Sequence, residues 1–196
     1  MIPYPFEYVR AKSLGEAQAL LANKSDVKLL AGGQTLIPTM KMRLANPASL
    51  IDISKLPELS FIRASGDIVT IGAMTTHGAI AASNDVAAMI PALSYAASHI
   101  GDPAVRARGT IGGSLANNDP AADYPALVLA LNATIKTNRR NIAADDFFTG
   151  MFSTALDDGE IITEVSFERP KRAGYAKFAN PASRYPASNP MAQPPK

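Results

Sequence analysis

Two glycine pairs are the residues best suited to chemistry in this 196-residue chain. One lies in Leu30-Ala31-Gly32-Gly33-Gln34-Thr35, the other in Arg108-Gly109-Thr110-Ile111-Gly112-Gly113-Ser114-Leu115. Paired glycines let main-chain N–H groups approach a ligand with no Cβ in the way. Several N–H groups turned the same way form a nest for an anion, and a helix N-terminus behind them adds to it. Gln34, Thr35, Thr110 and Ser114 add uncharged donors, a mixture that suits a diphosphate held mainly by main chain. Neither loop is a standard nucleotide signature, since no G-x-G-x-x-G follows a strand and no G-x-x-x-x-G-K-[ST] occurs. A lone glycine pair also reads as a simple turn. Asn117-Asn118-Asp119-Pro120-Ala121-Ala122-Asp123-Tyr124-Pro125 then places amides and carboxylates just beyond the second loop. Its alternative reading is an Asx-rich turn in which Asp123 caps a helix starting near Pro125.

Other chemistry is scarce. With no Cys there can be no disulfide, thiolate metal site, iron–sulfur cluster or Cys nucleophile in this chain. The two histidines, His77 and His99, read as a helix-start residue and a helix C-terminal residue, where the dipole alone favours the latter. Asp145-Asp146 and Asp157-Asp158 imitate carboxylate pairs but read as solvated loop acids, and no nucleophile–base pair stands out. The net charge of +2 gives no footprint for nucleic acid. It arises from residues 169–196, which hold six basic residues and no acid, either a solvated terminal segment or an anion-facing one. The opening MIPYPFEYVRAKSL lacks the layout of a signal peptide, and the most apolar stretch, Pro125 to Asn132, is too short to span a bilayer. Neither a nucleic-acid nor a membrane partner is expected, and the expected location is cytoplasmic.

The elements that must position the loops follow from pattern. Phe6 to Arg10 predicts a strand, and Ser13-Leu14-Gly15-Glu16 a capping box opening an amphipathic helix to about Asn23. Val27 to Ala31 predicts a strand running into the first glycine loop, and Leu36 to Leu44 a short helix that tolerates Pro38 in its first turn. Ser49 to Ile53 closes a β-α-β-α-β lobe over residues 1–55. A hairpin (Phe61 to Arg63, Ile68 to Ile71) opens a second lobe, residues 56–178. A helix capped by Thr75 or Thr76 follows, then one from Val86 to His99 interrupted at Pro91. Gly101 to Asp123 reads as a long functional loop without periodicity. A buried helix from Pro125, a strand at 133–137 and an alternating strand at 160–167 complete the lobe. The proline-rich stretch 179–196 predicts an extended tail with residues 186–196 packed on nothing.

Ala31-Gly32-Gly33-Gln34-Thr35-Leu36-Ile37-Pro38 with Lys41-Met42-Arg43-Leu44, Ile71-Gly72-Ala73-Met74-Thr75-Thr76-His77, the run Asp102 to Ser114, and Asp119 to Pro125 occur in order. Together they resemble the FAD-carrying medium subunit of molybdenum hydroxylases of the carbon monoxide dehydrogenase and xanthine dehydrogenase type, over about residues 1–185. The resemblance implies a two-lobed α+β FAD-binding fold, of the type of p-cresol methylhydroxylase and vanillyl-alcohol oxidase, with the flavin between the lobes. It implies that Leu30, Ala31, Gly32, Gly33, Gln34, Thr35, Leu36 and Ile37 wrap the diphosphate from one lobe, and Thr110, Ile111, Gly112, Gly113 and Ser114 from the other. Asp123 would bond the ribose or adenine side, Ile100 and Ile162 would pack on the cofactor, Lys177 would stand near the flavin and Tyr185 near its ring. The implied function is a flavoprotein oxidoreductase subunit. It would relay electrons from the two [2Fe–2S] clusters of a small subunit, fed by a molybdopterin-binding large subunit, through FAD to an acceptor. Members continue past a segment like Ala182-Ser183-Arg184-Tyr185 into a further C-terminal domain, so this chain is expected to be truncated near Tyr185. A remnant with weak or no FAD binding, or a stand-alone flavoprotein reductase of the same fold, are the alternatives.

Overall fold

The computed structural model describes residues 2–182, 185–188 and 191–192. In the first lobe, β1 (Glu7–Arg10), α1 (Leu14–Asn23), β2 (Val27–Leu30), α2 (Leu36–Lys41) and β3 (Ser49–Asp52) alternate as expected. The three strands are parallel in the order β1-β3-β2, with Leu30 and Arg10 both in register with Asp52. As the middle strand, β3 is buried along its whole length, as expected of a parallel strand covered on both faces. The Ser13 hydroxyl accepts from the Glu16 N–H at 3.1 Å, while the Glu16 carboxylate reaches one residue further back, to the Lys12 N–H at 2.7 Å. The lobe's core (Ala11, Ala17, Ile51, Ile53) extends past residue 55 to Leu56 and Leu59 on the connection to β4 and is completed by Met74 and Ile161 from the second lobe. A sheet of three four-residue strands cannot bury enough surface alone, so the lobes share this cluster.

The second lobe begins with β4 (Ile62–Ser65) and β5 (Ile68–Gly72), a hairpin turned at Gly66. Six helices follow: α3 (His77–Ala82), α4 (Asn84–Met89), α5 (Pro91–Ser98), α6 (Pro103–Arg106), α7 (Ile111–Asn117) and α8 (Asp123–Ala130). Then come β6 (Thr134–Thr137), β7 (Asn141–Ala143), α9 (Ala144–Phe147), β8 (Phe148–Gly150), β9 (Ser153–Thr154) and β10 (Ile162–Glu168). The antiparallel sheet runs β4-β5-β10-β6-β7. Its central strand points Ile162, Val165 and Phe167 into a core shared with Ile80, Leu93, Ile111, Tyr124 and Leu127 of the helices. The architecture is α+β, and no described helix is long and apolar enough to cross a membrane.

Two expectations are corrected. The stretch 101–123 is not a structureless loop: Asp102 caps α6 through the Val105 N–H and Thr110 caps α7 through the Gly113 N–H. Glycine's poor helix propensity hides α7, whereas the caps and tertiary burial of Ile111 and Leu115 make it. Asp123, in turn, is the first residue of α8 and not its cap, a position held by Ala122. The proline-rich end also packs back. β11 (Gly174–Tyr175) and β12 (Phe178–Ala179) pair with β14 (Met191–Ala192) and β13 (Pro186–Ser188), respectively. Pro186 opens its strand, where the missing N–H costs little. The expectation for 189–190 and 193–196 lies outside the described residues.

Candidate functional site

The first glycine loop leaves the carboxyl end of β2, the end of a parallel sheet where α/β ligands bind. Gly33 has φ +72°, which turns the chain sharply into α2. Thr35 caps α2 without a side-chain bond, and the helix begins with donors still open. Among the described residues, the N–H groups of Gly32, Gly33, Gln34, Thr35 and Leu36 find no protein acceptor. Ile37 is the first to be engaged, by the Gly33 carbonyl at 3.3 Å.

The second loop is built differently. The N–H of Ile111 donates to the Thr75 carbonyl at 3.2 Å, that of Gly112 to Ala73 at 2.9 Å, that of Gly113 to the Thr110 hydroxyl at 3.2 Å, and that of Ser114 to the Thr110 carbonyl at 3.0 Å. These donors hold α7 against the strand–helix turn after β5. Among the described residues the second loop thus keeps only the Thr110 N–H without a protein acceptor, against five such groups in the first. The glycines of the second serve close packing: a Cβ on Gly112 would stand 2.6 Å from the Ala73 Cβ. Gly32 serves the same end between the lobes, since its Cβ would stand 2.0 Å from the Arg108 carbonyl oxygen.

Between the loops lies a cleft of about 1040 Å³. Of the residues singled out from sequence, Ala31, Gly32, Gly33, Gln34, Thr35, Leu36, Ile100, Thr110, Gly112, Gly113, Ser114, Asp123, Ile162 and Tyr185 line it. Leu30, Ile37, Ile111 and Lys177 do not line it. Ile111 is fully buried in the second lobe's core. The Lys177 ammonium, 7% exposed, pairs with Asp123 Oδ1 at 3.0 Å and donates to the His99 carbonyl at 2.9 Å. The Tyr175 hydroxyl donates to the same carboxylate, so Asp123 ties the segment around β11 to the cleft wall. The Tyr185 carbonyl accepts from the Asn180 N–H at 2.8 Å.

Three further lining residues were not singled out as site residues from sequence: Glu160, Met74 and His77, the last read as a helix-start residue, which it is. The Glu160 carboxylate, fully shielded, accepts from the Arg140 guanidinium (two bonds of 3.0 Å), the Thr137 hydroxyl (2.7 Å) and the Asp157 N–H (2.9 Å). The Arg140 guanidinium above all holds its carboxyl down to about 2. This knot fixes the turn that delivers Ile161 and Ile162 to the cleft, reinforced by the Asn138–Ile161 bonds at 2.8 and 2.9 Å. Nothing in the sequence joins residues 20 apart in this way. His77 lines the cleft yet is only 5% exposed. Burial, helped by the Arg106 charge, pushes its imidazole down to about 4, so it is neutral.

Two α+β lobes with a deep cleft between them, and a strand-end loop of open main-chain donors on one wall, define a dinucleotide-binding domain. The chain belongs to the family of the FAD binding domain in molybdopterin dehydrogenase, whose model matches residues 4–170. It is 48% identical over 170 residues to the carbon monoxide dehydrogenase medium chain of Hydrogenophaga pseudoflava, covering 84% of this chain and 59% of that one. It is 42% identical to the nicotine 6-hydroxylase medium subunit of Paenarthrobacter nicotinovorans, covering 93% of this chain and 66% of that one. The chain thus spans about three fifths to two thirds of the length of these relatives. Its structure is similar to that of carbon monoxide dehydrogenase from Hydrogenophaga pseudoflava lacking the Mo-pyranopterin moiety (TM-score 0.90, 44% identity, 95% of this chain and 68% of that chain). It is also similar to quinoline 2-oxidoreductase from Pseudomonas putida 86 (TM-score 0.91, 34% identity, 95% and 67%). The family's cofactor is FAD, and the cleft suits it in volume and in donor chemistry: the five residues whose N–H groups find no protein acceptor all line it.

Proposed function

We propose that the chain is the FAD-carrying part of a molybdenum hydroxylase, a flavoprotein oxidoreductase subunit. The observation that carries this reading is the run of open N–H donors at residues 32–36 facing the inter-lobe cleft. In this reading residues 30–37 wrap the diphosphate, while Thr110, Gly112, Gly113 and Ser114 shape the opposite wall and Ile111 anchors it. Ile100 and Ile162 sandwich apolar parts of the cofactor. Asp123, held by Lys177 and Tyr175, accepts from a sugar hydroxyl at its unshared lone pairs, and Tyr185 shields the ring from water. FAD held by these residues would supply the exchange between one-electron and two-electron carriers that a relay from iron–sulfur clusters to a two-electron acceptor requires. The protein's share is binding, orientation and exclusion of water, in keeping with a cleft that shows no nucleophile–base pair among the described residues.

The partners are a small subunit with two [2Fe–2S] clusters and a molybdopterin-binding large subunit. These 196 residues contain no Cys and so supply no thiolate ligand for a cluster. The relatives named as medium subunits of carbon monoxide dehydrogenase and nicotine 6-hydroxylase support the assignment. The test is to purify the chain, or load it with FAD, and measure flavin stoichiometry and co-purification with the two partner subunits when all are co-expressed. One FAD per chain and a three-subunit complex are expected. A protein that neither retains nor takes up FAD would overturn the reading.

A further inference from the structure

His77 is a buried polar side chain for which the fold supplies no use. It opens α3 just after the Thr76 cap, its N–H bonded to the Gly109 carbonyl at 2.9 Å. Nδ1 is buried with no hydrogen-bond partner, and no described residue bonds the other ring nitrogen. The ring packs on Tyr124 with centroids 5.2 Å apart, and the Tyr124 hydroxyl is buried and unpartnered as well. Burying such groups unbonded costs on the order of 1–3 kcal/mol each, so a side chain kept this way calls for a reason.

Position supplies the reason. A Cβ on Gly109 would stand 2.5 Å from His77 Nε2, and a Cβ on Gly32 would stand 2.9 Å from the Gly109 Cα. A single glycine therefore separates the imidazole from the first loop and its open donors, and His77, Gly109 and Gly32 all line the cleft. Beyond the main-chain donors of the first loop, the cleft wall offers a dianion little positive charge, its carboxylates Asp123 and Glu160 being already paired with Lys177 and Arg140. Asp102, Asp119, Asp123 and Glu160 line it, whereas Lys28 is the one permanent cation among the described lining residues. The nearby Arg106 spends its guanidinium on the Ile100 and Gly101 carbonyls at 3.1 and 3.0 Å.

We propose that His77 is a direct cofactor-binding residue that donates a hydrogen bond from Nε2 to the diphosphate, across Gly109 from the first glycine loop. The neutral ring enters the binding reaction as an N–H donor, with Nδ1 unprotonated against Tyr124. Its neighbours from other elements are Arg106 of α6, which disfavours a second proton, and Tyr124 and Asp123 of α8. A phosphate at Nε2 adds negative charge that favours one. The proposal rests on the FAD reading, but a simpler diphosphate tests it separately.

The experiment compares the wild type with His77→Gln for affinity towards FAD, ADP and riboflavin, with thermal melting alongside. The variant should bind FAD and ADP about tenfold more weakly, leave riboflavin affinity unchanged and melt no lower than the wild type. Equal ADP and FAD affinities in the two proteins would overturn the proposal. Should the variant fail to fold, the wild type still decides. The chain holds two histidines, so the His77 ring proton can be followed by NMR through a pH titration with and without ADP. A rise of a unit or more in the His77 midpoint is expected on ADP binding, and an unmoved midpoint would overturn the proposal. ADP binding without FAD binding would sink the cofactor reading and leave this one standing. Binding of neither would remove both.

Discussion

At the scale of residues, the glycines carry more of the fold than of the ligand. Gly112→Ala should cost stability, because its Cβ meets Ala73 at 2.6 Å and that wall is main chain as well as side chain. Overpacking of this kind costs about 1–3 kcal/mol, readable as a lowered denaturation midpoint. Gly32→Ala should weaken the contact between lobes and FAD binding together, since its Cβ would stand 2.0 Å from the Arg108 carbonyl oxygen. His77 should contribute to the acid side of the stability curve. Its folded pKa of about 4 lies below the ordinary 6.5, so the unfolded chain binds the extra proton. Stability is complete above about pH 6.5 and is lost as the pH falls towards 4, by at most about 3 kcal/mol. His77→Gln should flatten the melting temperature over that window. Glu160, held down to about 2 by Arg140, adds a second acid loss below about pH 4.5 that this variant should retain. A melting profile equally steep between pH 6.5 and 4 in both proteins would contradict the assignment to His77.

At the scale of elements, the first lobe was legible and the second partly so. The capping box at Ser13, the apolar spacing of α1 and the β-rich runs at 7–10, 27–30 and 49–52 each point to the element that forms. Pro91 correctly divides two helices, because proline is tolerated only at a helix start. The helices α6 and α7 were hidden, since four- and seven-residue helices show no period and two glycines argue against the second. Which N–H groups remain open could not be read either: Gly32-Gly33 and Gly112-Gly113 look alike in sequence. The difference is the Ala73 and Thr75 carbonyls that tertiary packing brings to the second pair. The C-terminal hairpins lead to a prediction at this scale. Tyr175 is held by β14 through the Met191 register and by the Asp123 carboxylate. Deleting residues 186–196 should therefore lower the melting temperature and loosen Lys177 from Asp123, seen as faster proteolysis after Lys171 or Arg172. Unchanged melting and cutting would return this segment to the status of a bystander.

At the scale of the whole molecule, the two lobes meet along the cleft in which FAD is proposed to bind. The first lobe takes Met74 and Ile161 into its core from the second, and Gly32 presses on the Arg108–Gly109 main chain. The rest of the boundary is the cleft of about 1040 Å³, a large volume for a chain of this size. A ligand that touches both walls is bound only by the assembled pair of lobes and so stabilises the fold by mass action. At a free FAD concentration 100 times the dissociation constant the gain is about 2.7 kcal/mol. For a domain of this length that corresponds to roughly 5–10 °C in melting temperature. In the proposed placement ADP would reach the donors at residues 32–36 and leave the apolar flank of Ile100 and Ile162 empty, so it should give a smaller shift at equal concentration. Riboflavin, which lacks the diphosphate, should give a smaller shift still. The order FAD, ADP, riboflavin is the signature of a site anchored on the first glycine loop. Differential scanning calorimetry on the ligand-free chain with each compound measures it directly. Riboflavin matching FAD would move the anchor from the glycine loop to the apolar wall.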